Sequence, residues 1–459
     1  MPYAKRRTPY SSGGGPIVGL ALVGLALPGC HPSSLGSSAL MVSRGASVTY
    51  LRDVQPILQE KCQVCHQPES LGPISLMTYE EVRAWAPLIR QRVADRSMPP
   101  WHIDRSVGIQ EFANDRSLSE REISALVAWA DQGAPRGDSH PGSSYAAAPA
   151  PETWTLESQL GSPDLVIESE PYTVPDHGQD LWWRPVMNSG LERSRWLRAI
   201  EVRPVPPLGP RVTHHVIIYL HDGIATRLLA EWAMGKQGEV MPPGTARLIR
   251  AGATIEWDVH YVPIGEAAEL SQVEVGLWFH PESYEPEFRS QLESFTADAQ
   301  PNAARGSQID IPPGEVRVVR SAHRLSSPAR IESFQPHMHL RGMAMSLEAV
   351  YPDGRSEVLS RVDRFDPRWQ LSYAFADQAM PLLPAGTDLV VTAWHDNSAA
   401  NPNNPDARQW VGFGRRSVDE MAHAWISISY LDAEGYERLV ERRKREGDRA
   451  PARCEPECN

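Results

Sequence analysis

His337 and His339 are separated by one residue. On an extended strand successive side chains alternate between faces, so both imidazoles project from one side and can meet a single metal ion. A third donor must then come from elsewhere in the chain. Upstream stand the adjacent His214 and His215, then Trp257-Asp258-Val259-His260-Tyr261; downstream stands Asp419-Glu420-Met421. Adjacent histidines on a regular strand point to opposite faces, so His214 and His215 can share an ion only where the strand ends or kinks. A second kind of chemistry is written in Cys62-Gln63-Val64-Cys65-His66. This is the C-x-x-C-H signature of covalent haem c: two thiols add to the porphyrin vinyls and the following histidine becomes an axial ligand. The spacing also suits a redox dithiol or half a zinc site, but the adjacent His66, the export signal and the lack of a second Cys pair favour haem. Met98, held in Met98-Pro99-Pro100-Trp101, is the candidate for the sixth ligand, with His102 as the alternative.

The elements around the haem motif read as a small all-α unit over residues 48–137. Thr78-Tyr79-Glu80-Glu81 is a capping box that opens a helix with Val82 and Trp85 inward, and Pro87 restarts it before Ile89 and Val93. Ser119-Glu120-Arg121-Glu122 is a second capping box, followed by the helical stripe Ile123, Leu126, Val127 and Ala130, which Gly133 stops. The pattern resembles the class I cytochromes c of secreted bacterial enzymes. Residues 138–155, rich in Pro, Ala, Gly and Ser, read as a linker.

Beyond residue 156 helical periodicity fades and short apolar runs alternate with turns. Strands are expected at Val212–Leu220, Thr254–Val262, Val273–Phe279, Ser346–Tyr351, Leu389–Trp394 and Ala424–Tyr430, punctuated by Pro-Pro-Gly at 242–244 and 312–314 and Pro-Ala-Gly at 384–386. Such spacing argues for all-β sandwiches.

The whole chain bounds these readings. At 459 residues it is long enough for two to four domains, and with 41% hydrophobic residues it can bury real cores. A net charge of -12 argues against a nucleic-acid partner, and no run of Lys or Arg builds the positive stripe that one needs. Lys5-Arg6-Arg7 and the apolar run 17–27 have the form of an export signal over residues 1–30. Its end, Leu27-Pro28-Gly29-Cys30, resembles a bacterial lipobox, which implies a periplasmic or cell-surface protein anchored through lipid on Cys30 and no other membrane association. An ordinary cleaved signal is the alternative. The remaining cysteines, Cys454 and Cys458, close a small loop or belong to a frayed tail; none is left to staple the middle of the chain.

The ordered run His214-His215, Val259-His260-Tyr261, His337-Met338-His339 and Asp419-Glu420-Met421 resembles the copper type II, ascorbate-dependent monooxygenases, the family of peptidylglycine α-hydroxylating and dopamine β-monooxygenases. The resemblance implies two consecutive jelly-roll domains, here 156–305 and 306–459, and two copper ions. One copper is held by His214, His215 and His260 and stores an electron. The other is held by His337, His339 and Met421, whose soft thioether suits Cu(I), and is the catalytic one. It also implies hydroxylation of a C–H bond in a small organic substrate by dioxygen. Electrons then come from ascorbate, or through the fused haem from an external donor. A haem and copper relay that oxygenates nothing uses the same ligands and stands as the alternative. Amidating members clamp a substrate carboxylate with an Arg and a Tyr at positions where this chain has Gln335 and Trp425, so a peptide ending in glycine is not the expected substrate; Arg341 is the one nearby residue that could compensate. His31, His102, His140, His177, His221, His280, His323, His395 and His423 read as loop, core or surface residues rather than copper ligands, with His102 kept as the haem alternative.

Overall fold

The computed structural model describes residues 47–68, 72–138, 154–297 and 309–447. The signal and lipobox, nearly all of the linker, the junction near residue 305 and both tail cysteines lie outside them. From Ser47 onward the chain forms one compact unit. Among the described residues no helix is long and apolar enough to cross a membrane.

Helices come first, at Gln55–Lys61, Tyr79–Ala84, Ala86–Ala94 and Glu120–Asp131. Thr78 and Ser119 each close a full capping box with the glutamate three residues on, which satisfies otherwise orphaned N–H groups at the two helix starts. Tyr50, Leu58, Val82, Ile89, Val93, Leu126 and Trp129 share one core. Trp85, expected to face inward, is 40% exposed. It is the residue at which the first helix ends and the Pro87-led helix begins, so its side chain leaves the stripe set by Val82. Trp129 takes the fully buried place instead.

The rest is predominantly β, a sandwich architecture of jelly-roll type. Each of the six expected runs falls within or overlaps a strand, here Thr213–His221, Thr254–Tyr261, Val273–Phe279, Gly342–Val350, Asp388–Asp396 and Ala422–Tyr430. In the first sandwich Leu165–Glu168, Val273–Phe279, Arg195–Pro204 and Thr245–Ile249 pair in that order, and Thr226–Ala233, Thr213–His221, Thr254–Tyr261 and Leu181–Trp183 pair in a second row. Both rows contribute to one core that includes Leu197, Val202, Val216, Ile218, Trp257 and Val275. Phe288–Thr296 joins the rows and pairs with Ala422–Tyr430, which pairs in turn with Ala329–Met338. The layer that carries the H-x-H motif is therefore continuous with the first sandwich. A four-strand sheet, Val316–Arg324, Asp388–Asp396, Gly342–Val350 and Ser356–Val362, shares the second core with it.

Ala329–Met338 is buried along its whole length. Its charged residues are paired accordingly: Arg330 donates to Glu332, and Glu332 accepts from Ser290 and Ser429 at 2.6 Å each. The segment after the third helix does not stay with the helices. Trp101 and Ile103 enter the second β core, Ile103 and Phe112 bridge to Val362 and Phe375, and Asn114 donates to the Ser372 carbonyl at 2.8 Å. The helical segment is thus seated on the sheets by its own chain, a contact that a reading of residues 48–137 as a unit joined by a linker does not anticipate.

Candidate functional site

His214, His215 and His260 converge, with donor atoms all within 4.8 Å of one another. Strand pairing explains how. His215 is the cross-strand partner of His260, and the next pair is Thr213 with Tyr261, so His214 is the extra residue of a β-bulge. The bulge turns the side chain of His214 back to the face of its neighbour, the local kink that an H-H pair requires. Nδ1 of His215 lies 3.2 Å from Nδ1 of His214 and 3.2 Å from Nδ1 of His260. Three nitrogens each ~2.0 Å from one ion stand about 3.3–3.5 Å apart, so the spacing fits a shared metal. Asp180 Oδ2 sits 3.2 Å from His260 Nε2, and this contact holds the Asp180 carboxyl well below the usual carboxylate range. Trp182 stacks on His260 with ring centroids 4.5 Å apart. A carboxylate on the far nitrogen of a ligand histidine fixes its tautomer and orientation. Burial, reinforced by the neighbouring imidazoles, holds His214 at about 4 and His215 well below its ordinary value. Both keep a lone pair for a metal at neutral pH.

His337 is the penultimate residue of the Ala329–Met338 strand and His339 follows its end, their ring centroids 5.4 Å apart. Gln370 Oε1 accepts from His337 Nδ1 at 2.5 Å, and Asp419 O lies 3.2 Å from His339 Nδ1. Each ring is therefore left with Nε2 as its ligand atom. Trp425 stacks flat on His337 at 4.9 Å. Glu420 grips the turn: its carboxylate accepts from the backbone N–H of His339 at 3.0 Å, of Arg341 at 2.5 Å and of Met421 at 3.3 Å. Burial nonetheless raises its carboxyl to about 8. Asn401, from the turn cluster after Asp396, donates to the Leu340 carbonyl at 3.0 Å. Met421 immediately precedes the strand Ala422–Tyr430, in which Ala422 pairs with Met338 and His423 with His337. The pairing sets Met421 level with His339. The two sets of imidazoles abut, His215 and His337 having ring centroids 5.7 Å apart.

A cavity of about 690 Å³ opens beside them, within the ~300–1,000 Å³ common for cofactor sites. Cys62, Cys65, His66, Met98 and His102 line it on the helical side, and His214, Trp369 and Gln370 on the sheet side. His66 Nδ1 donates to the Ile74 carbonyl at 3.0 Å, which leaves Nε2 as a ligand atom. A Cβ at Gly72 would stand 2.5 Å from His66 Nδ1, so the close approach of this loop to the ring requires glycine. Burial pushes the Cys62 thiol up to about 12, unlike a thiolate poised for redox or zinc chemistry. Two thiols, an imidazole and a thioether in one apolar cavity fit a covalently attached haem. Arg116, also on the wall, donates to Gly235 O at 3.0 Å and Gln237 Oε1 at 3.2 Å and fastens the helical side to the first sandwich.

The structure thus lines one cavity with Cys62, Cys65, His66, Met98 and His102, gathers His214, His215 and His260 into one cluster, and sets His337 beside that cluster, with His339 next to His337 and Met421 level with His339 by strand register. Sequence reading missed Asp180, Trp182 and Gln370, which come from loops and edge strands with no motif of their own. His423, read from the sequence as a core or surface residue, lies beside the site, its ring centroid 5.9 Å from that of His337.

No family model matches the chain, and no curated protein matches it. Among solved structures it is similar to the major capsid protein P2 of bacteriophage PM2, with 12% identity and a TM-score of 0.29 over 58% of this chain and 97% of that one. It is also similar to the VP2 subviral particle of infectious bursal disease virus, with 10% identity and a TM-score of 0.18 over 60% of this chain and 75% of that one. A two-domain protein of Bacteroides fragilis gives 6% identity and a TM-score of 0.15 over 58% and 94%. Likenesses at these scores carry no argument about function.

Proposed function

We propose that the protein is an exported copper-dependent monooxygenase that hydroxylates a C–H bond of a small organic substrate and takes its electrons through a c-type haem carried on an all-α cytochrome segment ahead of two jelly-roll domains. One observation carries this reading: His214 both belongs to the convergent imidazole triad and lines the cavity of Cys62, Cys65, His66 and Met98. An imidazole triad alone suits zinc as well as copper. A haem cavity sharing a wall with that triad supports a metal that accepts electrons.

Copper and haem, when bound, supply the one-electron and dioxygen chemistry that no side chain here can perform. The chain's own residues hold and orient. Cys62 and Cys65 would anchor the haem, and His66 and Met98 would serve as donors to its iron. His214, His215 and His260 would hold one copper through Nδ1; His337, His339 and Met421 would hold the other. Gln370 and the Asp419 carbonyl fix the tautomers of His337 and His339, and Glu420 fixes the backbone between them. Trp182 and Trp425 cover the flat faces of His260 and His337 and keep water from them.

The test compares wild type with a His337→Ala strain by untargeted metabolite analysis under ¹⁸O-labelled dioxygen. A metabolite that carries the label in wild type alone supports the oxygenase. Copper- and haem-loaded protein that labels nothing supports the non-oxygenating relay instead.

A further inference from the structure

Lys61, Arg92, Arg116, Arg211 and Arg368 all stand on the wall of the cavity that holds Cys62, Cys65, His66 and Met98. Their charges are not equally free. Lys61 pairs with Glu60 at 2.8 Å, Arg211 with Glu266 at 2.6 Å and Arg368 with Asp366 at 2.7 Å, while Arg92 is exposed to water. Arg116 is partly buried, and among the described residues no carboxylate pairs with it. Its guanidinium donates instead to two neutral oxygens, the Gly235 carbonyl at 3.0 Å and Gln237 Oε1 at 3.2 Å. The acidic groups near enough to act on it are the Cys65 thiol and the Tyr373 hydroxyl, both of which burial keeps protonated. A guanidinium stays charged even so.

A cation without a counter-charge is costly to place in a protein wall, and its field is screened less there than in water. Ferric haem carries one more positive charge than ferrous haem. A fixed cation beside the ring therefore favours the ferrous state and raises the potential. The paired cations of the wall are largely cancelled by their carboxylates; Arg116 is not. What aims it comes from the first sandwich: Gly235 and Gln237 follow the strand Thr226–Ala233, whose Ala233 is the cross-strand partner of His215. That turn is close-fitting, since a Cβ at Gly235 would stand 2.8 Å from the Trp369 ring on the same wall.

We propose that Arg116 is an uncompensated cation kept beside the haem to hold its reduction potential up, aimed there by the Gly235 carbonyl and by Gln237 as a positioning residue. The assignment rests on the haem reading of the cavity. It adds a charge to the lever that Met98 supplies through ligation, and it makes the potential depend on a turn of the first sandwich.

The experiment is a spectroelectrochemical titration of the full-length, haem-containing protein. Arg116→Gln is expected to lower the ferrous-to-ferric ratio at a given potential by about tenfold, a downward shift of ~59 mV for a one-electron couple. Arg116→Lys, which keeps the charge, is expected to stay within about threefold of its parent. Gln237→Glu leaves Arg116 in place and supplies the missing carboxylate at nearly the same shape, so it should shift the potential down as Arg116→Gln does; it decides alone where Arg116→Gln does not fold. A residue that only fastens the helices to the sandwich would leave Gln237→Glu at the parent's potential. If Arg116→Gln or Gln237→Glu keeps that potential, or if Arg116→Lys falls as far as Arg116→Gln, the assignment is overturned and the haem reading stands. If the parent carries no covalent haem, both are overturned.

Discussion

His215 and His337, drawn from different sandwiches, hold their imidazole ring centroids 5.7 Å apart. The contact follows from the continuous layer that runs from the first sandwich through Phe288–Thr296 and Ala422–Tyr430 into the H-x-H strand. Two coppers bound through these rings would be magnetic neighbours. Copper-loaded protein should contain two ions per chain, with a Cu(II) resonance broadened by their mutual coupling. His214→Ala should remove one ion and sharpen the signal of the other, whereas Met421→Ala should weaken Cu(I) at the second site by about tenfold or more and spare the first. Metal analysis that finds one copper or none contradicts this.

Haem should be bound covalently through Cys62 and Cys65, with Met98 opposite His66. A thioether ligand favours the ferrous state. Met98→Ala should therefore lower the potential by on the order of 0.1 V, within the ~0.8 V that axial ligation spans, and open a position for small ligands. A variant with the potential and spectrum of wild type would shift the assignment to His102, which lines the same cavity.

How far the sequence foretold all this varies with the range of the contacts. Short apolar runs between turns marked six strands, and the C-x-x-C-H and H-x-H spacings marked the candidate donors, because both signals are local; Ala329–Met338, buried along its whole length and carrying His337, was not among the six. The bulge at His214 was implied by the two adjacent histidines but not its cause, which is the register shift against His260 and Tyr261. The sheet-side wall of the cavity was not legible: His214 and Gln370 reach it only because Trp101, Ile103 and Phe112 leave the helices and enter the second β core or pack against it. Trp85 went the wrong way because a helix restart changes the face that a residue presents.

Acid should destabilise the copper-free protein in a defined window. Burial holds His214 and His339 at about 4 and drives His215 and His337 well below the ordinary value. In the unfolded chain each titrates near ~6.5, so between those values the unfolded state binds more protons than the folded one and stability falls as pH falls. Urea midpoints should decline as pH falls from about 6.5 toward 4, four depressed imidazoles outweighing the one raised carboxyl of Glu420; above about 6.5 Glu420, raised to about 8, should make stability fall gently as pH rises to about 8. Midpoints that stay level across that window would mean these imidazoles are not held neutral.

A peptide ending in glycine should be a poor substrate. Gln335 and Trp425 are cross-strand partners; Gln335 is buried and Trp425 lies stacked on His337. Arg341 is buried too, and one of its guanidinium N–H groups donates to the Val418 carbonyl at 2.9 Å. Without a guanidinium at position 335 the carboxylate loses on the order of 2–5 kcal/mol of binding. Efficient turnover of a glycine-extended peptide by copper-loaded protein would refute this.

The most direct test follows one turnover. Haem and coppers are reduced without oxygen, excess reductant is removed, and ¹⁸O-labelled dioxygen is added with the metabolite that the strain comparison identifies. The account predicts haem oxidation at the rate at which label enters the product, and the loss of that coupling in a Cys62→Ser/Cys65→Ser variant. A haem that stays ferrous while labelled product forms, with the double variant turning over undiminished with the native donor, would contradict it.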